Sequence, residues 1–307
     1  MKEKFIEKRF GSAAETIIRT ANEILDEYAK DGYDLSLRQL YYQFVSRNLI
    51  ENTERSYKNL GSIISDARLA GRIDWDMIKD RGREMISNPH WTSPADILET
   101  CSGQYRIDRW GTQPNYIEVM VEKQALEGVL IPVCKQWDVP FTANKGYSSS
   151  SAMYEASRRY LRRAEQGKGL YILYLGDHDP SGIDMTRDVD DRFKLFLNQN
   201  LGLHESEGLH EVQRLALNMD QIKKFKSPEN PAKLTDSRSN SYIKKFGRSS
   251  WELDAIEPKR LAKLVSDAIA KLVDKKAWQK SGEAQQAGRN YIKKIAEEYN
   301  DNHNSQA

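Results

Sequence analysis

Apolar residues recur at helical spacing through the first seventy positions. Ile17, Ile18, Ala21, Ile24, Leu25 and Tyr28 form one stripe, the period of a helix with one buried face. "KDGYD" breaks that helix, and Ser36 is placed to cap the next, whose stripe is Leu37, Leu40, Tyr41, Phe44 and Val45. After the turn region "RNLIENT", Leu60, Ile63, Ile64, Ala67 and Leu69 give a third buried side. "GRIDWDMIKDRGR" follows, short and rich in Asp and Gly, and reads as a candidate β-wing. Helix, helix, turn, helix and wing is the order of a winged helix-turn-helix, which predicts a DNA-binding domain over 1–95. A small helical bundle without a ligand fits the same stripes. Arg55, Lys58, Arg68 and Arg72 are the candidate DNA contacts, with Glu54 and Asp66 diluting the basic signal.

The next stretch, "NPHWTSPADILETCSGQYRIDRWGTQPN", has no sustained period and contains three prolines and two glycines. It reads as the domain boundary. Beyond it the pattern changes. "YIEVMVE", "VPFTAN", "GLYILYLG" and "EVQRLAL" read as strands, and "KQALEGVLIPVCKQW", "SSSAMYEASRRYLRRAEQ" and "MTRDVDDRFKLFLNQN" as helices. The alternation predicts an α/β domain over 113–256, a parallel sheet with helices on its faces. From 257 to 307 the chain reads as a helical C-terminal extension. Leu261, Leu264, Val265, Ala268, Ile269, Leu272 and Val273 form a stripe suited to core or to a dimer contact.

Composition narrows this only by exclusion. The chain has 307 residues, 39% hydrophobic and 30% charged, with a net charge of +2, so any basic surface must be local. No apolar run approaches membrane-spanning length, and "MKEKFIEKRF" offers no signal-peptide core, so a cytoplasmic protein without a membrane partner is expected. Cys101 and Cys134 are isolated, which argues against a disulfide framework or a zinc site. The segment from Lys223 to Arg248 is basic and reads as an irregular loop able to track phosphate. Arg158, Arg159, Arg162 and Arg163 read as a solvated helix face.

The candidate chemistry is acidic. In open parallel sheets, ligands bind beyond the carboxyl ends of the strands. Glu122 ends the first predicted strand, and Asp177 and Asp179 follow the third in "GDHDPSGIDM". Alternate residues of an extended turn point the same way, so the two aspartates can face one ion while His178 points elsewhere. Such oxygen ligands suit Mg²⁺. Pro180, Ser181 and Gly182 predict a tight turn holding the pair. Glu252 and Asp254 in "WELDAI" read as a helix start or as a further acidic ligand.

A glutamate at the first strand's end with a later DxDPxG resembles the toprim domain. Together with "RQLYY", "VEKQAL", "NKGYSSSSA" and "LALNMDQI" in the same order, the chain resembles the topoisomerase VI A subunit and its meiotic double-strand-break relative, in a form like that of phage and mobile-element proteins. The resemblance implies a winged helix over 1–95 and a toprim domain over 113–256. It implies that Glu122, Asp177 and Asp179 hold metal, with Glu122 also serving proton transfer. Arg38 and the Tyr41-Tyr42 pair match the family's Arg-x-x-Tyr-Tyr, whose second tyrosine attacks DNA, and Lys145 and Gly146 match a Lys-Gly loop near the active site. The "GYSSSSA" continuation departs from the family pattern and weakens that loop's role. The resemblance also implies a homodimer with composite sites and, as no ATPase signature is present, a separate ATPase subunit for a full topoisomerase cycle.

The expected activity is Mg²⁺-dependent DNA strand breakage. It would proceed either by tyrosine transesterification or by metal-dependent hydrolysis. The alternatives are a toprim nuclease on DNA or RNA with no tyrosine nucleophile, and a non-catalytic DNA-binding protein. Helical geometry sorts the tyrosines. Tyr41 lies on the apolar stripe and should pack, whereas Tyr42 is rotated off it, with Arg38 four residues earlier on its own face.

Overall fold

The computed structural model describes residues 1–79, 88–144, 146–201, 210–232 and 235–304. Three helices open the chain: α1 (Ser12–Lys30), α2 (Leu37–Ser46) and α3 (Glu54–Leu69). The starts of α2 and α3 are set by side chains. Ser36 accepts from the Gln39 backbone while Gln39 returns a bond to the Ser36 amide, and Thr53 accepts from Ser56 at the start of α3, satisfying amides that have no partner inside the helix. The predicted stripes meet in one core with Ile18, Leu25, Leu40, Phe44, Leu60 and Ile64 buried. The β-wing expected over 71–83 is not a strand pair in its described part. Residues 71–79 form one isolated bridge, Ile78 with Leu35, and residues 80–83 lie outside the described residues.

The stretch read as a boundary contains a helix, α4 (Pro94–Gln104), against expectation. Ser93 caps it and Pro94 occupies its first turn, where a missing N–H costs nothing. Its stability comes from a distant partner, the C-terminal helix described below, through contacts such as Ser102 Oγ to the Arg289 carbonyl at 2.9 Å. No local period could reveal that.

The alternating region then follows as read: β1 (Asn115–Val121), α5 (Glu127–Gln136), β2 (Phe141–Ala143), α6 (Ser150–Ala164), β3 (Gly169–Leu175), α7 (Pro180–Leu201) and β4 (His210–Ala216). The four strands form one all-parallel sheet in the order β2-β1-β3-β4. Alternate residues of β1 face opposite layers. Ile117, Val119 and Val121 pack with α5, while Tyr116 and Met120 pack with α6 and α7.

After α8 (Met219–Phe225), strands β5 (Asn230–Pro231) and β6 (Ser249–Ser250) make a small antiparallel pair around α9 (Ser239–Phe246). Thus the basic segment read as loop is partly helical. The predicted helical tail divides in two. In α10 (Pro258–Leu272) the stripe Leu261, Val265 and Ile269 is core, completing the layer beside α5. By contrast, α11 (Lys275–Asn304) runs along α4. The fold is therefore mixed α/β, with eleven α-helices among the described residues. Among those residues, no helix is long and apolar enough to cross a membrane.

Candidate functional site

Two adjacent strands end at the same level. In the β1/β3 register, Val121 faces Leu175, so Glu122 and Gly176 leave the sheet side by side. The strand order reverses between these two strands, the position at which open parallel sheets form a crevice. The Glu122 amide donates to the Leu175 carbonyl at 2.9 Å, and Glu122 Oε2 accepts from the Asp177 amide at 2.9 Å. Glu122 and Asp177 are thus fastened to each other through one backbone hydrogen bond, and both are buried.

Pro180, Ser181 and Gly182, expected to make a tight turn, are instead the first turn of α7, and the passage from β3 into that helix is built by a glycine and by two polar groups. A Cβ on Gly182 would collide with the Asp177 carbonyl oxygen. Asp179 Oδ1 accepts from the Gly182 amide at 2.6 Å and from Ser181 Oγ at 3.1 Å, as a carboxylate does at a helix N-terminus. Asp179 therefore has a capping role that its DxD spacing did not announce. Arg214 on β4 ties the turn down from the other side, donating to the carbonyls of Gly176 at 3.0 Å and Gly182 at 2.9 Å. His178 points away from the carboxylates, as expected. It exchanges two backbone hydrogen bonds with Trp251, its Nδ1 lies 2.7 Å from the Tyr242 hydroxyl, and its ring meets those of Tyr242, Phe246 and Trp251.

That His178–Trp251 bridge carries Glu252 and Asp254 to the sheet edge. The pair does stand at a helix start, Glu252 at the N-cap position and Asp254 in the first turn of the short 3-10 helix Leu253–Ala255, but Glu252 makes no side-chain capping bond there. Both instead meet Lys123. Its ammonium lies 2.7 Å from Asp177 Oδ2, 2.8 Å from Glu252 Oε2 and 3.2 Å from Asp254 Oδ1. The second Asp177 oxygen accepts from the Leu253 amide at 2.8 Å. From α2, Arg38 reaches the same pair, with Nε 2.8 Å from Asp254 Oδ2 and its terminal nitrogen on Glu252. Sequence reading missed Lys123, although its place beside a strand-end glutamate was a usable signal.

Charge in this cluster is unevenly offset. Five carboxylates (Glu122, Asp177, Asp179, Glu252 and Asp254) meet three cations (Arg38, Lys123 and Arg214). Burial, and then the neighbouring carboxylates against the help of Lys123, pushes Asp177 up to about 7. Burial likewise raises Glu122, with Asp179 adding to it and the Asp177 amide and Lys123 opposing. Burial works against the Glu252 anion too, but Lys123 and Arg38 prevail and hold it down at about 2. Lys123 stays charged because Asp254, Asp177 and Glu252 outweigh its desolvation.

The donor set is all carboxylate oxygen, with excess negative charge at Glu122 and Asp177. In donor type and charge, Glu122, Asp177 and Asp179 fit a hard divalent cation such as Mg²⁺. They are not pre-gathered around one point. Among the described residues, no three His, Cys, Asp or Glu side chains stand in metal-holding geometry, and Lys123 and the Leu253 amide already bond to Asp177.

The tyrosine expectation changes. Tyr41 packs, and its hydroxyl donates to Asn52 Oδ1 at 3.0 Å and the Thr53 carbonyl at 3.2 Å. Tyr42 is rotated off the stripe but is equally buried, each being 4% exposed. The reason is tertiary: the segment carrying Glu252 to Ala255 docks on α2 and covers it. Arg38 lies on Tyr42 as the spacing predicts, 5.7 Å from the ring centre. Burial, followed by Asp254 and Glu252, raises the Tyr42 phenol above its ordinary range, and Arg38 offsets this only in part.

The remaining candidates separate. Arg55 and Lys58 are exposed on α3, with Lys58 paired to Glu54 at 2.7 Å. Arg72 is committed to Glu15 through two bonds of 2.9 and 2.8 Å, and Arg68 to the Trp75 and Ile78 carbonyls. Arg68 closes a local chain reversal, whereas the Arg72 pair is an exposed tie between α1 and the residues after α3. Lys145 lies outside the described residues, while Gly146 donates to the Glu122 carbonyl at 3.2 Å with φ +100. The arginine face of α6 is not uniformly solvated. Arg159 makes two 2.9 Å bonds to Glu118, which is fully buried inside β1. No protein-family model matches this chain, and no curated protein does.

Proposed function

We propose that the chain is a Mg²⁺-dependent DNA strand-breaking enzyme of topoisomerase VI A-like design, with a winged-helix segment joined to a toprim segment. On this reading it cuts by hydrolysis at the Glu122 edge. The observation that carries the proposal is the placement of Glu122, Asp177 and Asp179 at the carboxyl ends of adjacent parallel strands, where the strand order reverses. When bound by these three, Mg²⁺ supplies positive charge against the phosphate oxygens. Glu122, held above the usual carboxylate range, is suited to take a proton from an attacking water. Lys123 and Arg214 hold Asp177 and its turn in place. Exposed Arg55 and Lys58 on α3 contact the DNA backbone. A homodimer supplies one site for each strand.

Hydrolysis is favoured over attack by Tyr42 because this phenol is buried, disfavoured as an anion, and shares its arginine with two carboxylates. The second reading, transesterification by Tyr42, rests on the Arg38 guanidinium lying over its ring. It requires the covering segment to lift, and a separate ATPase subunit would then drive strand passage.

Supercoiled DNA incubated with the protein and Mg²⁺ tests both. Hydrolysis gives nicked and linear products with protein-free 5′ ends, abolished by Asp177→Asn and kept by Tyr42→Phe. Protein-linked ends that vanish in Tyr42→Phe would establish the second reading instead. Absence of cutting with every divalent metal and partner tried would leave a DNA-binding protein.

A further inference from the structure

A groove of about 570 Å³ opens on the N-terminal segment, lined among others by Tyr57, Arg68, Trp75, Lys79, Arg38 and Gln124. Its size falls in the range of small-ligand sites, about 300–1,000 Å³. It does not stand apart from the carboxylate edge. Arg38, Gln124 and Ala125 also line the adjoining 320 Å³ recess that contains Glu122, Lys123 and Asp254. A ligand in the groove would therefore end beside the candidate active site.

The lining combines three cations and two aromatic rings with apolar side chains such as Leu37, Ile64 and Ile78, and among the described residues it includes no Asp or Glu. Arg38 is shared with Glu252 and Asp254, and Lys79 with Asp76 at 3.6 Å. Arg68 differs. Its guanidinium lies 4.3 Å from the Trp75 ring centre, two backbone carbonyls fix its terminal nitrogen, and among the described residues no carboxylate pairs with it. Its buried Nε has no hydrogen-bond partner there. Tyr57 is half-buried, with its ring held edge-on against Tyr41 at 5.2 Å. Two pre-set flat groups, an amide at Gln124 and a positive lining suit a flat ring bearing polar edges and an attached anion. That is the chemistry of a nucleotide, recognised by stacking and charge.

We propose that this groove is a nucleotide subsite that takes one unpaired base of the DNA strand, stacked against Tyr57, with its phosphate directed to the Glu122 edge. The proposal rests on the phosphodiester reading of that edge. It predicts that single-stranded or locally unpaired DNA is preferred over perfect duplex, because a paired base cannot enter a groove of this kind without leaving its stack.

Binding without cutting tests it. In EDTA, an oligodeoxynucleotide carrying one 2-aminopurine is titrated, single-stranded or in duplex, into the full chain and its variants. Wild type should change the probe's fluorescence and hold the single strand about tenfold more tightly than the duplex. Ser65→Phe, at an exposed α3 position on the groove wall, should remove that preference, as should Tyr57→Leu. Tyr57→Phe should keep it within about twofold. A folded Ser65→Phe protein, verified by its melting transition, that binds like wild type would overturn the subsite. Equal binding of single strand and duplex by wild type would do the same. Loss of the preference in Ser65→Phe while wild type cuts nothing overturns only the enzyme reading. Cutting with unchanged binding in Ser65→Phe overturns only the subsite.

Discussion

Arg38 Nε and Asp254 Oδ2, 216 positions apart in sequence, lie 2.8 Å from one another. The Asp254 side chain has no exposure at all, while Arg38 is 45% exposed. The bond therefore joins α2 to the acidic edge from the solvent side, and the carboxylate depends on it. Removing one partner of a buried ion pair leaves a desolvated charge, at a cost of about 3–5 kcal/mol. Asp254 keeps Lys123, so Arg38→Ala should cost about 2 kcal/mol, and Arg38→Lys less, because an ammonium meets only one carboxylate well. Urea midpoints of the three proteins check this. An unchanged midpoint in Arg38→Ala would mean that the pair contributes nothing across the two segments.

Gly182 tests the turn that carries Asp177 and Asp179. Its missing Cβ is required by a backbone atom, the Asp177 carbonyl, which cannot rotate away as a side-chain end would. Gly182→Ala should destabilise by about 2–3 kcal/mol. If the proposed function holds, it should also weaken Mg²⁺-dependent cleavage more than Ser181→Ala, which loses only one 3.1 Å bond to Asp179. Comparable losses in both variants would show that the turn tolerates a methyl group.

Much of this edge was legible because it is local. Glu122 and Asp177 are fixed by where two apolar runs stop, and Ser36 marks a helix start by its own chemistry, whereas the turn expected at Pro180–Gly182 is already helix. What stayed hidden depends on distant segments. Tyr42 is covered by residues more than 200 positions away, and α4 is held by α11. Glu118 sits mid-strand, where a charge breaks the apolar pattern, and the arrival of Arg159, 41 positions away, together with the Tyr116 hydroxyl makes its burial tolerable. Glu252 and Asp254 reach the site through a pair of two-residue strands, with α9 between them, and one backbone bridge, neither of which has a period.

His178 gives a pH dependence with a definite sign. Burial, and then Arg214, push its imidazole down to about 4 from an ordinary 6.5. The unfolded chain thus binds a proton between those values while the folded chain does not. The stabilising contribution is complete above about 6.5 and is lost as pH falls toward 4, up to about 3 kcal/mol. Asp177 works the other way. Its folded pKa of about 7 exceeds the ordinary 3.8, so its contribution declines as pH rises through that interval. Comparing wild type with His178→Asn cancels the Asp177 part. The stability difference between them should narrow by 1–3 kcal/mol, an order-of-magnitude range, from pH 7.5 to pH 4.5. A constant difference would place the imidazole in ordinary titration.

The Glu118–Arg159 pair separates structure from chemistry on the same strand. Glu118 faces the α6 layer, bound by Arg159 through two 2.9 Å bonds and by the Tyr116 hydroxyl at 2.9 Å. It lies four residues before Glu122, yet its three bonds leave no role at the carboxyl edge. Arg159→Ala strands a buried carboxylate and should cost about 3–5 kcal/mol. Replacing both partners with apolar residues of similar volume, Glu118→Met with Arg159→Leu, should recover part of that loss, since the desolvation of both charges is removed together while the buried Tyr116 hydroxyl loses its acceptor. Cleavage by the recovered double variant should equal wild type at 25 °C. If stability returns but the proposed cleavage does not, Glu118 acts on the reaction and the candidate edge extends one strand-turn deeper into the sheet.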